Sequence, residues 1–284
     1  MRSSTTFLIF GLLLSMLAMA YHPEKLSFWM ILLMAGTEDG RYLAGELHTA
    51  GAEMLITVTT EYGRSLFERV GLGKMCRCEK LDLRSLVLLI REKQVAAIVD
   101  ATHPYAERAS QTAIAAARET GILYVRYERA ETPLPDSPLI LRAADHEEAI
   151  RLCKEMGRRI LLTIGSSRIE RFAHIEGKEV FVRILPIPEN VRRCIEAGVP
   201  PSHVVAMQGP FSKEFNAAML RELKVDTMVT KDSGEVGGAL EKVEAAIENG
   251  VKIIVIERPK VEYPVLCQTF GEVKDVLKEH GLLP

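Results

Sequence analysis

From Met30 onward, short apolar runs alternate with longer stretches in which apolar residues recur at the helical period. This alternation is typical of βαβ units, whose strands lie parallel in one sheet with helices on both faces. In the first part of the chain, strands are predicted at Ile31–Ala35, Met54–Thr59, Ala96–Asp100 and Leu123–Tyr127, and helices near Arg41–Ala50, Asp82–Glu92 and Ala106–Thr120. This part is therefore predicted to form one parallel sheet.

A proline-rich segment at 131–138 interrupts the alternation and predicts a linker. Beyond it, strands are predicted at Ile160–Ile164, Glu179–Ile184, His203–Met207, Thr227–Val229 and Ile253–Glu257, and helices at Asp145–Met156, from about Glu189, at Gly238–Asn249 and at Gly271–Glu279. We therefore predict an α/β fold of two Rossmann-like parallel-sheet domains with a cleft between them. The predicted parts are a dinucleotide-binding domain at 30–130, a linker at 131–142 and a substrate domain at 143–284.

The first 29 residues differ in character from the rest. After Arg2, the run Phe7–Ala20 is apolar and ends in A-M-A, as secretory signals do, but it is too short for a comfortable transmembrane helix. Met30 is itself a plausible initiator. Two interpretations stay open: an extension from an upstream start codon, or a signal or anchor. Residues 1–29 are therefore left out of the fold prediction.

Charge and cysteine content restrict the partners of the folded part. A formal net charge of −2 without a basic block argues against nucleic acid, and no membrane partner is expected for the folded domains. The five cysteines form no C-x-x-C pair, which argues against a disulfide framework or a metal site. Cys76 and Cys78 alternate and would share one face of a strand. Free thiols are typical of a cytoplasmic protein.

The segment D-A-T-H-P-Y-A, Asp100 to Ala106, follows an apolar strand and precedes an alanine-rich helix. It therefore lies at the carboxyl edge of the predicted sheet, where open α/β sheets bind ligands. His103 and Tyr105 can donate or relay protons, which makes them candidate catalytic residues.

Two earlier turns are candidates for dinucleotide binding. Glycines in A-G-T-E-D-G-R, after the first strand, let the backbone approach a phosphate at a helix start. In T-T-E-Y-G-R-S, after the second strand, Glu61 favours the ribose of NADH, whereas Arg64 favours the extra phosphate of NADPH. The cofactor preference stays open. The predicted cofactor-binding residues are Gly36, Thr37, Glu38, Gly40, Thr59, Thr60, Glu61, Arg64, Asp100 and Thr102.

Polar donors and cations follow four strands of the second half, which suggests one anionic ligand in the cleft. The predicted substrate-binding residues are Gly165, Ser166, Arg168, Gly209, Ser212, Lys213, Lys231, Ser233, Gly234 and Arg258. Lys231 and Asp232 join His103 and Tyr105 as catalytic candidates. The halves also echo each other, because 99–129 and 229–258 both run strand, polar turn, helix, glycine, strand and Glu-Arg.

These motifs in order, D-A-T-H-P-Y-A, A-G-T-E-D-G, G-P-F-S, T-K-D-S-G and R-P, resemble the precorrin-6A reductase family of cobalamin (vitamin B12) biosynthesis. The resemblance covers nearly the whole chain from Met30. It implies two Rossmann-like domains with the active site between them. It also implies NAD(P)H-dependent reduction of precorrin-6A, or of its cobalt form, to precorrin-6B, with hydride delivered to carbon 19 of the tetrapyrrole.

Two other functions stay open at this point. One is another NAD(P)-dependent Rossmann-type reductase that acts on an unrelated anionic substrate. The other is an exported two-lobed ligand-binding protein, which the leader-like N-terminus favours and the closeness of the first strand to that leader disfavours. The proton donor, the metal state of the substrate and the oligomeric state are not predicted.

Overall fold

The computed structural model describes residues 29–131, 133–232 and 238–284. The predictions for the N-terminal extension before Trp29 lie outside these residues. The first half contains β1 (Met30–Ala35), α1 (Glu38–Thr49), β2 (Met54–Val58), α2 (Glu61–Arg69), β3 (Cys76–Cys78), α3 (Leu83–Lys93), β4 (Val95–Ala101), α4 (Glu107–Thr120) and β5 (Leu123–Tyr127). None of the helices in the described part of the chain is long and apolar enough to cross a membrane.

The second half begins with an edge strand and ends with a helix. It contains β6 (Ile140–Ala143), α5 (His146–Glu155), β7 (Arg159–Leu162), β8 (Glu179–Ile184), α6 (Pro188–Glu196), β9 (Val204–Ala206), α7 (Lys213–Glu222), β10 (Thr227–Lys231), α8 (Ala239–Glu248), β11 (Lys252–Ile256), β12 (Leu266–Cys267) and α9 (Phe270–Glu279). Short 3-10 turns at Gly73–Met75, Ile169–Arg171 and Pro201–His203 complete the described elements.

The strands form two six-stranded parallel sheets, which confirms the predicted fold class. The first has the order β12-β5-β4-β1-β2-β3 and the second the order β6-β11-β10-β7-β8-β9. In each sheet the order in which strands are added reverses once. In the first sheet β2 and β3 extend to one side of β1, and β4 and β5 extend to the other; in the second sheet the same reversal lies between β7 and β10. Ligands of open α/β sheets bind outside the carboxyl ends of the strands at such a switch point.

The two sheets repeat the same arrangement. The unit β4-α4-β5 and the unit β10-α8-β11 occupy equivalent positions in their sheets, as the sequence echo predicted. Both faces of each sheet are covered, because alternate residues of a strand enter different apolar clusters. In β4, Ala97 and Val99 pack in one cluster, whereas Ile98 packs in the other. Strands buried on both faces explain the continuous apolar runs.

Several features differ from the prediction, which contained no helix at α2 or α7. The segment predicted as the linker contains β6, whose Ile140 and Leu141 pair with Ile253 and Ile254 of β11. The segment predicted as the end of the second domain returns to the first sheet, where β12 pairs with β5 and Val273 of α9 enters the first core. Strand β3 was foreseen only as a shared face of Cys76 and Cys78; Cys76 is buried and Cys78 half-buried, on either side of exposed Arg77.

Candidate active site

The two sheets face each other through their carboxyl edges. At one end, the Tyr62 hydroxyl after β2 donates to Gln208 Oε1 after β9 at 2.7 Å. At the other end, Arg258 Nη1 after β11 donates to the carbonyl of Arg129 after β5 at 2.7 Å. Between these contacts, Tyr105 after β4 reaches β11. The switch points of both sheets therefore meet across one cleft.

A cavity of about 350 Å³ lies in this cleft. The first domain contributes Gly36, Thr37, Glu38, His103 and Arg129 to its walls. The second contributes apolar residues such as Met207 and Phe211, together with Thr163, Gly165, Arg183, Gly209 and Lys242. The cavity thus combines the predicted phosphate turn, the predicted histidine and a cationic wall.

The predicted phosphate turn has the backbone that such a role requires. Thr37 caps α1: its Oγ1 accepts from the N–H of Gly40 at 3.0 Å and lies 3.3 Å from the Ala101 carbonyl, to which it donates. A Cβ at Gly40 would lie 3.1 Å from Ala35 Cβ, so glycine allows α1 to approach β1 closely. A Cβ at Gly36 would meet nothing within 4 Å, which leaves that backbone open to a ligand.

A second cavity of about 420 Å³ lies on the other side of the β1 edge. Thr59 and Thr102 line it, together with Lys80 and Arg108, two cations absent from the prediction. The remaining predicted residues of this region lie at the start of α2: Thr60 caps the helix, and Arg64 pairs with Glu61 at 3.1 Å.

Asp100, one of the predicted cofactor-binding residues, lies in a buried network of hydrogen bonds. Its carboxylate is fully buried and accepts from Arg126 Nη1 at 2.9 Å, Tyr124 at 2.7 Å and the N–H of Thr102 at 3.0 Å. Burial alone would raise the pKa of Asp100, but Arg126 and the hydrogen bonds from Ser110 and Thr102 hold it below its usual range. The Asp100 side chain has no exposed surface, and all of its described contacts are within the first domain.

His103 opens into the main cavity. Its Nδ1 accepts a hydrogen bond from the backbone N–H of Tyr105 at 3.2 Å, which leaves the proton of the neutral ring on Nε2. Although the residue as a whole is exposed to the cleft, its imidazole lies among protein groups. Removal from water, followed by the charges of Lys231 and Arg129, lowers the pKa of His103 to about 4. At neutral pH the ring is uncharged and can donate from Nε2.

Tyr105 connects the two domains. Its hydroxyl donates to the Ile256 carbonyl at 2.6 Å and accepts from the N–H of Asp232 at 2.9 Å. Burial raises the pKa of Tyr105 well above its usual value. The Tyr105 hydroxyl therefore joins the first domain to the backbone of the second domain.

Lys231 ends β10 beside these residues. Its Nζ lies 4.7 Å from the centre of the Tyr105 ring. Burial and the charge of Arg168 lower the pKa of Lys231 to about 8. The Asp232 carboxylate is buried and lies 3.8 Å from Arg258 Nε. The four predicted catalytic candidates therefore lie together.

The predicted substrate-binding residues divide into three groups. Gly165 and Gly209 line the main cavity. Arg168 lines a separate depression of about 340 Å³ with His146 and Lys260, on the far side of Tyr105. Residues whose described contacts are within the protein are Ser166 with Asn190, Ser212 as the cap of α7, Lys213 with Glu248, and Arg258 with the backbone after β5.

Ser233 and Gly234 lie outside the described residues. Arg258 is buried and donates to the carbonyls of Arg129 and Ala130, so it joins the domains. Lys213, on the outer side of α7, is likewise absent from the walls of the main cavity.

Three cavity residues were missed by sequence reasoning. Arg129 pairs with Asp39, Arg183 is the penultimate residue of the mostly apolar strand β8, and Lys242 lies on the buried face of α8. The sequence pattern could have indicated Arg183 and Lys242, because a cation within an apolar strand or on the apolar face of a helix is rare without a partner. Their position at the cleft depends on the packing of α7 and α8.

The comparisons with known proteins agree with this architecture. The family model described as precorrin-6x reductase CbiJ/CobK matches residues 30–279. The chain belongs to the precorrin-6x reductase family. A cobalt-precorrin-6A reductase from Priestia megaterium is 41% identical over 253 residues, which cover 87% of this chain and 98% of the relative. Members of the family are oxidoreductases, so the chain is an enzyme of that class.

Two further relatives support the family assignment. A precorrin-6A reductase from Rhodococcus erythropolis is 32% identical over 256 residues, covering 89% of this chain and 98% of the relative. The solved structure of CobK precorrin-6A reductase matches with a TM-score of 0.73 at 25% identity and covers 90% of this chain and 98% of its own. The predicted family resemblance is confirmed.

Proposed function

We propose that this protein reduces precorrin-6A, or its cobalt form, to the corresponding precorrin-6B in cobalamin biosynthesis, with NADH or NADPH as the reductant. The observation that carries the proposal is the cavity between the two switch points. The phosphate turn of one sheet and a cationic, partly apolar wall of the other meet there. A reductase needs such a site, where a cofactor and its substrate meet away from bulk water.

The residues of the first domain fit a dinucleotide. Gly36 and Thr37 would hold the pyrophosphate at the N-terminus of α1, since their backbone is open and the helix end attracts anions. Thr59 and Thr102 would face the adenosine part in the second cavity. Lys80 and Arg108 add positive charge there, which suits a 2′-phosphate, but the choice between NADH and NADPH stays open. When bound, the nicotinamide supplies a hydride, which we propose goes to carbon 19.

The reduction also requires a proton on a second atom of the macrocycle. His103 is neutral, and the Tyr105 hydroxyl is bonded to the second domain. With its pKa near 8, Lys231 is protonated at neutral pH and can give up that proton. We therefore propose Lys231 as the proton donor and His103 as a neutral hydrogen-bond donor in the cavity.

An anaerobic assay of the full chain tests the proposal. Precorrin-6A or cobalt-precorrin-6A is supplied with NADH or NADPH, and nucleotide oxidation is followed together with the macrocycle spectrum. Coupled changes with either substrate support the reductase, and the faster nucleotide decides the cofactor. Nucleotide binding without turnover of either macrocycle would contradict the proposed substrate.

We also propose a cytoplasmic location. In the described part of the chain, all five cysteines are free thiols, which suits a reducing compartment. Cell fractionation with an antibody against the protein tests this, and recovery from an oxidising compartment would contradict it.

A further inference from the structure

The second-domain wall of the main cavity contains a cation that the proposed reaction does not use. Arg183 lies near the end of β8 and lines the cavity. Among the described residues, Arg183 forms no ion pair, and burial lowers the pKa of Arg183 to about 10. A half-buried guanidinium without a carboxylate partner is costly unless a ligand supplies the negative charge.

The side chain is held in place for such a ligand. Arg183 Nη1 donates to Asn216 Oδ1 at 2.6 Å. The amide of buried Asn216 in turn donates to the carbonyls of Phe211 and Ser212, so its oxygen is fixed toward Arg183. The guanidinium carbon also lies 4.8 Å from the centre of the Phe211 ring. These contacts use one donor and one face of the guanidinium, and leave its other N–H groups for a ligand.

Lys242 strengthens the positive potential on this wall. It lies in the same cavity lining, on the buried face of α8. Burial, followed by the charge of Arg183, lowers the pKa of Lys242 to about 8, whereas the charges of Glu241 and Asp232 act in the opposite direction. Two like charges on one cavity wall favour an anion in front of them.

We propose that Arg183, oriented by Asn216 and Phe211, forms an anion subsite that binds one carboxylate side chain of the tetrapyrrole. The inference rests on the proposed function. A planar guanidinium binds a carboxylate through two parallel N–H groups and so fixes its orientation as well as its position. The subsite belongs to the domain opposite the Gly36 turn, which favours a substrate carboxylate over a phosphate of the nucleotide. Arg183 would thereby set how the macrocycle lies in the cavity.

The test compares Arg183→Met and Arg183→Lys with a matched control, Arg159→Met. Arg159 also stacks on an aromatic ring, with its guanidinium carbon 4.9 Å from the Phe181 ring centre, but it pairs with Glu179 and starts β7 at the opposite edge of the sheet. Three quantities are measured for each folded variant: the KM for precorrin-6A, the Kd for NADPH by fluorescence, and the Kd for uroporphyrin III, an octacarboxylate probe that needs no turnover. Thermal unfolding establishes that each variant is folded.

Arg183→Met is expected to raise the precorrin-6A KM and the uroporphyrin Kd by about 10- to 100-fold, because that factor corresponds to the loss of one charge-assisted hydrogen bond. Arg183→Lys should lose less, and Arg159→Met should change neither. An equal loss of NADPH affinity would assign the anion to the nucleotide and overturn the proposal. Unchanged uroporphyrin binding would overturn it as well. If the wild type does not reduce precorrin-6A, the proposed function fails, and the uroporphyrin titration still decides the subsite.

Discussion

The buried ion pair between Arg126 and Asp100 allows a quantitative prediction. Neither side chain has exposed surface, and Arg126 also donates to Glu128 at 2.7 Å. Arg126→Met keeps much of the side-chain volume but leaves the Asp100 carboxylate buried without its cation. Removing one partner of a buried pair costs about 3–5 kcal/mol. Glu128 retains some exposure and can be hydrated, so the loss is expected to come mainly from Asp100.

The assay is urea unfolding of wild type and variant, with hydrogen exchange of β4 amides to assign the loss to the first domain. Arg159→Met serves as the control, because its pair with Glu179 is partly exposed and such pairs contribute about 0.2–1 kcal/mol. The double variant Asp100→Asn with Arg126→Met should recover part of the loss. A loss for Arg126→Met no larger than that of Arg159→Met would refute the reasoning.

The same prediction has a pH dependence. In the wild type, the pKa of Asp100 is held below its usual value, so the stabilisation is present above the unfolded pKa and is lost as pH falls through the folded pKa. Without Arg126, burial raises the pKa of Asp100, and the variant relieves its buried charge by taking up a proton. The difference in free energy of unfolding should therefore shrink as pH is lowered.

Three further predictions concern the cleft. Lys231→Met should lower kcat by about 10²- to 10⁴-fold; it should also abolish the fall in rate that is expected of the wild type as pH rises through about 8, where Lys231 loses its proton. A fall in rate at alkaline pH that persists in the variant would exclude Lys231 as the donor. Arg258→Met should weaken the domain contact by about 1.5–3 kcal/mol, seen as a lower thermal midpoint and an increased radius in small-angle scattering. Gly40→Val should cost about 1–3 kcal/mol and weaken NADPH binding, because its Cβ would lie 3.1 Å from a β1 side chain, whereas Gly45→Val in the same helix has open space and should not.

Local pattern was sufficient for most elements. The apolar runs around Ile31 and Val99 and the helical stretches after them predicted a parallel sheet, because both faces of such strands are buried. The edge position of Gly36 and His103 followed from the strand–turn–helix order alone. The partners of those residues did not follow, because a sequence pattern states which edge a side chain occupies and not which atoms it meets.

The sequence by itself determined the fold class, the two-sheet arrangement and the edge on which the site lies, since these depend on hydrophobic periodicity and strand order. Only the tertiary structure decided that β12 returns to the first sheet, since two paired residues leave no periodic signal. It also decided that Tyr105 and Arg258 join the domains while Arg183 faces the cavity. Those roles depend on the packing of one domain against the other and of α7 against β8, which bring together residues far apart in the chain.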